Sequence, residues 1–340
     1  MTYLVALNFE DGVSRFIECN ENEKVLDAAY RQKINLPMDC SDGVCGTCKC
    51  HCESGQYDLG DDYLEDALSS QEFASGQVLT CQMVPQSDCV ISVPLSSQMC
   101  KTGSENYMAE VISSAVLSES AIELTLSLTS HPGIAFLSGQ YVNIQLPSST
   151  ETRAYSFSSL PGDKTLSFLI RNVPDGRMSR YLTQQAKAGD VLKLTGPQGS
   201  FYLREITRPV LMLAGGTGLA PFLSMLHSLK VMKPAHPVHL IYGVSRDIDS
   251  VKIEQIEEFA RKIPGFSYNL VVADPASAAE RKGYVTDHLD PQHINDGEVD
   301  IYLCGPPPMV EAVMGFLNNK AITPRNFYYE KFTPQAIRES

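Results

Sequence analysis

Between Asp39 and Cys48 the chain reads Asp-Cys-Ser-Asp-Gly-Val-Cys-Gly-Thr-Cys, which sets Cys40, Cys45 and Cys48 at C-x4-C-x2-C spacing, with Cys81 beyond as a fourth thiol. No other stretch constrains the fold so tightly. This spacing suits a [2Fe–2S] cluster, because a short loop can wrap two irons, aim three sulfurs inward and turn its N–H groups toward the bridging sulfides. Gly43 and Gly46 stand where such a loop needs a left-handed φ or a close backbone approach. Structural zinc, the competing metal, builds from paired C-x2–4-C knuckles, and the second pair is missing. Cys40, Cys45, Cys48 and Cys81 are therefore the expected metal ligands. A chain holding this cluster handles single electrons, and the remaining residues must account for their source.

The 340 residues allow two or three domains, each large enough to bury a core. No apolar run is long enough to span a bilayer, and the start MTYLVALNFEDG lacks the basic flank and cleavage site of a signal peptide. No membrane partner is expected, and the expected location is cytoplasmic. In that setting ten cysteines point to metal ligation in a reducing compartment rather than to a disulfide framework. Cys19, Cys50, Cys52, Cys89 and Cys100 read as small buried hydrophobes. The charge is uneven: residues 1–100 hold 16 Asp+Glu against 5 Lys+Arg, so −11 of the total −13 falls there. Nucleic acid is disfavoured as a partner of that part. Its acidic surface is either a docking face for a basic protein or merely solvated.

Short alternating strands with an Asp11-Gly12 turn, a helical pattern over Glu23–Arg31, and strands near Lys49–Glu53 and Cys89–Val93 frame the cysteine loop. Asp58–Glu72 is acidic with little pattern. Residues 99–106 read as a linker. From Tyr107 to about Glu205, six short strands and one helical piece, Ser179–Ala186, suggest a closed antiparallel barrel. After Arg208 a buried apolar strand, the glycine turn Gly215-Gly216-Thr217-Gly218 and a helix begin a strand and helix alternation. That is the pattern of a parallel α/β sheet with nucleotide at its switch point.

Residues 1 to about 95 resemble a ferredoxin of the β-grasp type. Arg153-Ala154-Tyr155-Ser156, preceded by Gly139-Gln140-Tyr141, resembles the R-x-Y-S motif of the ferredoxin–NADP reductase family. The resemblance implies that Arg153 pairs with a flavin pyrophosphate, Tyr155 lies against the isoalloxazine, Ser156 bonds flavin N5, and Phe157 is a further flavin contact. Asp175-Gly176-Arg177-Met178-Ser179 resembles the family's G-x-x-S loop, implying that Gly176, Met178 and Ser179 approach the pyrophosphate. Arg171 either adds charge there or is a surface arginine. The domain order resembles the FAD-containing members rather than an FMN-containing relative of different order.

Gly215-Gly216-Thr217-Gly218-Leu219-Ala220-Pro221 resembles the family's G-G-[TS]-G-[LI]-[AT]-P loop, implying dinucleotide contacts from Gly216, Thr217 and Gly218. Cys304-Gly305-Pro306-Pro307-Pro308-Met309 resembles its C-G-P-x-x-M turn, implying Cys304 near nicotinamide C4, with Gly305, Pro306 and Met309 around the ring. NADP-using members carry Ser-Arg after the strand matching Tyr268–Val272, where this chain has Ala273-Asp274-Pro275. Asp274 would repel a 2′-phosphate, so NADH is expected; Ser245-Arg246, after an earlier strand, points the other way. The tail Phe327-Tyr328-Tyr329-Glu330-Lys331-Phe332 resembles the family's closing aromatic and acid. Either Phe332 covers the flavin while Glu330 orients the nicotinamide, or the tail is a plain edge strand. Ser156, Cys304 and Glu330 are the expected catalytic groups.

The whole order is similar to the reductase components of multicomponent oxygenases, of the benzoate and toluate dioxygenase type. It implies a [2Fe–2S] domain over 1–98, an FAD-binding barrel over 107–206 and an NAD-binding α/β domain over 207–340. The implied reaction passes a hydride from NADH to FAD and then single electrons through the cluster to a terminal Rieske oxygenase. Reductases of di-iron phenol or methane monooxygenases share this order and remain the alternative.

Overall fold

A computed structural model describes residues 1–332. The chain forms two compact units, Met1–Asn106 with Thr195–Ser200, and Tyr107–Leu194 with Phe201 onward.

The first unit is built on a five-stranded mixed sheet in the order Ser14–Asn20, Thr2–Phe9, Cys89–Val93, Lys49–Ser54, Gln77–Leu79. The Asp11-Gly12 turn pairs the first two strands from Thr2↔Asn20 to Asn8↔Ser14, while Cys89–Val93 runs parallel to Thr2–Phe9. Helix Val25–Arg31 turns Val25, Leu26, Ala28 and Ala29 onto the core. The acidic segment, without pattern by periodicity, contains a short helix, Ser70–Ala74. Its signal is local: Ser69 and Glu72 form a capping box that satisfies the first free N–H groups. The segment read as linker is folded onto this unit. Cys100 is fully buried, Asn35 donates its N–H to the Cys100 carbonyl, and just before the segment Ser97 donates both N–H and hydroxyl to Asp11. Cys19, Cys50, Cys52 and Cys89 are buried as well.

One six-stranded sheet, whose strands fall mostly in the second unit, follows the order Thr152–Ser156, Tyr141–Gln145, Val191–Gln198, Glu105–Ser118, Ala121–Leu128, Thr165–Arg171. Its inward residues, among them Leu124, Val142, Phe157 and Phe168, form a separate apolar core. The expected helical piece is a single turn at Arg177–Arg180 that widens to π geometry over Tyr181–Gln185.

The other sheet of this unit is parallel throughout, in the order Arg281–Lys282, Phe266–Val272, Val238–Val244, Val210–Gly215, Asp300–Gly305, Asn326–Lys331. Val210–Gly215 and Asp300–Gly305 are buried along their whole length, which is why they read as continuous apolar runs. Helix Ala220–Met232 leaves the glycine turn, and helix Pro307–Asn319 leaves Pro306. Val285–His288 is one 3₁₀ turn.

Candidate functional site

The four expected thiols lie in the first unit as two pairs. Cys48 and Cys81 are buried with their sulfurs 3.2 Å apart, and Cys45, exposed at the surface, shares a hydrogen bond with Cys40. Among the described residues no three His, Cys, Asp or Glu side chains converge as a single metal ion requires. Two thiol pairs are instead what two irons with two thiolates each would take. The loop backbone fits the same demand. Ser41, Gly43 and Gly46 all have positive φ, and a methyl on Gly43 would stand 2.8 Å from the Asp62 carbonyl oxygen. The hydrogen bond from Cys40, then Thr47, pulls the Cys45 thiol down to about 6. Burial first, and then Cys48, push Cys81 up to about 12, so its ionisation needs a cation beside it.

The second site is assembled from distant parts of the second unit. Ser156 ends strand Thr152–Ser156 and Glu330 lies on strand Asn326–Lys331, yet the Ser156 hydroxyl donates to the Glu330 carboxylate at 3.3 Å. Cys304 is in register with Glu330 across the neighbouring strands and is fully buried. Burial, and then Glu330, hold the Cys304 thiol well above its ordinary range. The protein packed about the Glu330 carboxyl pushes it up to about 7, against the opposing pull of the Ser156 hydrogen bond. The three expected catalytic groups are thus brought together.

Next to them opens a cleft of about 580 Å³, lined by Gly216, Thr217, Pro306, Met309, Arg171 and Phe332, among others. The glycine turn comes so close to the next strand that a methyl on Gly218 would overlap the Cys304 carbonyl. That is why a glycine is needed there. Gly305 lies against Gly215 and the Met309 sulfur in the same crowded place. Phe332 donates its N–H to the Gly305 carbonyl at 2.9 Å, which sets its ring at the cleft wall.

On the strand of Ser156, Tyr155 is half-buried, and burial raises its phenol above the ordinary range. Arg153 and Arg177 converge on the Glu151 carboxylate, and paired guanidinia are groups that grip phosphate bidentately. Arg177 was not among the expected contacts, although it lies inside the quoted loop. Four expected flavin contacts are engaged elsewhere. Phe157 stacks on Phe136 with ring centroids 3.8 Å apart, inside the core. Ser179 accepts from the Val173 N–H and donates to the Arg171 carbonyl, which holds the loop in shape. Met178 is buried, and Gly176 lies against Val173. Asp274 accepts from the Ala276 N–H at 2.8 Å. Its neighbour Ala273 lines the cleft, together with Ser245 and Asp249.

Three families cover most of the chain: a 2Fe-2S iron-sulfur cluster binding domain over residues 8–86, an oxidoreductase FAD-binding domain over 108–202 and an oxidoreductase NAD-binding domain over 212–314. Over 336 residues the chain is 57% identical to the toluate 1,2-dioxygenase electron transfer component of Pseudomonas putida, spanning 99% of this chain and 100% of that one. It is 48% identical to the 2-halobenzoate 1,2-dioxygenase electron transfer component of Burkholderia cepacia, spanning 98% and 99%. Among solved structures it is similar to a cytochrome P450 reductase of Amycolatopsis, at 32% identity and a TM-score of 0.65, covering 98% of this chain and 100% of that one. Among the described residues no helix is long and apolar enough to cross a membrane. Carrying [2Fe–2S], FAD and NAD domains in one chain, the protein belongs to the family of dioxygenase electron transfer components, with a ferredoxin reductase-type fold of mixed sheets.

Proposed function

We propose that the chain takes electrons from NADH and passes them, through FAD and a [2Fe–2S] cluster, to a terminal Rieske dioxygenase acting on aromatic rings of the benzoate or toluate type. The observation that carries this reading is the 3.3 Å contact between Ser156 and Glu330 beside Cys304, which joins the flavin strand to the dinucleotide sheet at one point. FAD supplies the conversion between the two-electron chemistry of a nicotinamide and the one-electron chemistry of a cluster. The chain's own groups do the rest. Arg153 and Arg177 would bind the flavin pyrophosphate, the Tyr155 ring would support the isoalloxazine, and the Ser156 hydroxyl, which donates to Glu330 in this structure, would turn to N5. The Gly216–Gly218 turn and Pro306 admit the nicotinamide, while Phe332 shields the site from water.

Cys40, Cys45, Cys48 and Cys81 hold the irons in this reading, two thiolates each. Residues 1–98 form a β-grasp domain, 107–206 an antiparallel barrel and 207–340 a parallel α/β domain, and the protein works in the cytoplasm. The acidic surface near Cys45 selects an acceptor with a basic face. Asp274 and the cleft carboxylate Asp249 both disfavour a 2′-phosphate, which makes NADH the donor.

The test is NADH oxidation by the purified protein with purified candidate oxygenases, scoring product turnover. Turnover with a benzoate-type Rieske oxygenase is the expected result, and turnover only with a di-iron monooxygenase overturns it. Asp274→Arg should narrow the preference for NADH over NADPH; a parent protein that uses both equally would contradict the cofactor assignment.

A further inference from the structure

The turn Glu119–Ser120 joins two strands of the antiparallel sheet, Glu105–Ser118 and Ala121–Leu128, yet it reaches the dinucleotide cleft. Ser120 lines that cleft with Ser245 and Asp249, and its hydroxyl donates to Asp249 Oδ1 at 2.6 Å. Asp249 is buried. It also accepts from Arg246 three times: from the backbone N–H at 3.2 Å and Nε at 3.1 Å on Oδ2, and from Nη2 at 3.3 Å on Oδ1. The remaining Arg246 nitrogen, Nη1, donates to Glu119 Oε2 at 3.0 Å. One guanidinium is therefore held between two carboxylates, one from each sheet of the unit.

The place of this clamp gives it meaning. Arg246 follows strand Val238–Val244, which lies directly beside the glycine-turn strand Val210–Gly215. In the Rossmann form of such sheets, a carboxylate beyond the glycine-rich turn takes the ribose 2′-hydroxyl and an arginine nearby accommodates a 2′-phosphate, and by analogy the end of this neighbouring strand is where such groups belong. This chain carries both groups, and the arginine was the feature of the sequence that spoke for NADPH.

We propose that Glu119 is a specificity-determining residue: by holding Arg246 against Asp249 it withholds the guanidinium from a 2′-phosphate, so that the cleft rejects NADPH. The proposal rests on the NADH reading above and adds a residue from the flavin side to it. Selectivity of this kind works by a penalty against the wrong ligand as much as by attraction to the right one. The 2′-phosphate of NADPH then finds the nearby guanidinium already taken up by Asp249 and Glu119 and gains no free cation. Glu119 is mostly exposed, with 73% of its side-chain surface open, so its replacement leaves the packing of the fold in place.

The experiment compares kcat/KM for NADH and for NADPH, with ferricyanide as acceptor, in the full-length holoprotein and in Glu119→Gln, Arg246→Ala and the double variant. Releasing an exposed ion pair is expected to raise the NADPH value by about 3-fold, with a smaller change for NADH. The gain should vanish in the double variant, because it comes from Arg246. An NADPH value unmoved by Glu119→Gln, or a gain that survives removal of Arg246, overturns the clamp while leaving the NADH reading intact. A parent protein that prefers NADPH overturns the NADH reading itself, and the clamp with it.

Discussion

The cluster loop and the nucleotide cleft hold their reactive groups in opposite ways. Cys45 is exposed, with the large apolar side chains of Met38, Val44 and Leu64 also open to solvent and Asp39, Asp42, Asp61, Asp62, Glu65 and Asp66 exposed in the same two segments. Ser156 and Cys304 are shut away, and the Glu330 carboxyl is crowded enough to titrate near 7. In the reading proposed above, the contrast follows from what each site exchanges. An electron can leave for a separate protein provided the two surfaces come close, so the outlet gains from exposure. A hydride passes only between touching atoms with water kept out, so the inlet gains from enclosure.

The sharpest break in this comparison is loss of the outlet alone. Cys45→Ser should lower iron retention by more than about 100-fold, since even partners outside the ligand shell cost 10–100-fold. NADH-driven ferricyanide reduction should persist while delivery to an oxygenase stops; iron and sulfide content together with both assays check it. A milder break is Gly43→Ala, where the new methyl meets Asp62 at a φ of +81°. It should destabilise the loop by about 1–3 kcal/mol, read as a lower midpoint for thermal bleaching of the cluster.

At the inlet the test is pH. The Glu330 carboxyl titrates near 7 in the folded chain, against an ordinary 4.5, so between those values the folded state binds the extra proton. The stability linked to it is present below about 4.5 and is lost as pH rises through about 7. Flavin reduction by NADH should therefore inflect near pH 7 in the parent protein. In Glu330→Gln the rate should fall roughly 10-fold or more and the inflection should disappear. An unchanged profile would leave Glu330 as a plain edge-strand residue. The smallest effect belongs to docking. Asp42→Lys should slow oxygenase reduction by about 3- to 10-fold at low salt, less at high salt, without altering flavin reduction. Indifference to salt would remove the steering role of the acidic surface.

What could be read in advance follows the same division. The thiol loop, the buried strands Val210–Gly215 and Asp300–Gly305 and the glycine turn are local patterns, in which each residue's neighbours in sequence are also its constraints. Helix Ser70–Ala74 was equally local, but its cue is the Ser69 and Glu72 pair rather than a period. The turning of Phe157 into the core was harder to see, because it depends on Phe136 standing opposite. The clamp on Arg246 was out of reach altogether, since Glu119 lies 127 residues away in the chain. Residues whose role is set by a distant partner leave no mark in their own neighbourhood.

The position of Glu330 on the edge strand Asn326–Lys331 also bears on how the protein comes into being. Cys81, the last of the four thiols, is translated roughly 250 residues before that carboxylate. At about 5–20 residues per second the segment that carries the four thiols has on the order of tens of seconds before Glu330 is made. During that interval the nascent chain still lacks Glu330 and the strand that carries it. In the reading proposed above, biosynthesis therefore builds the exit for electrons before it completes the entrance.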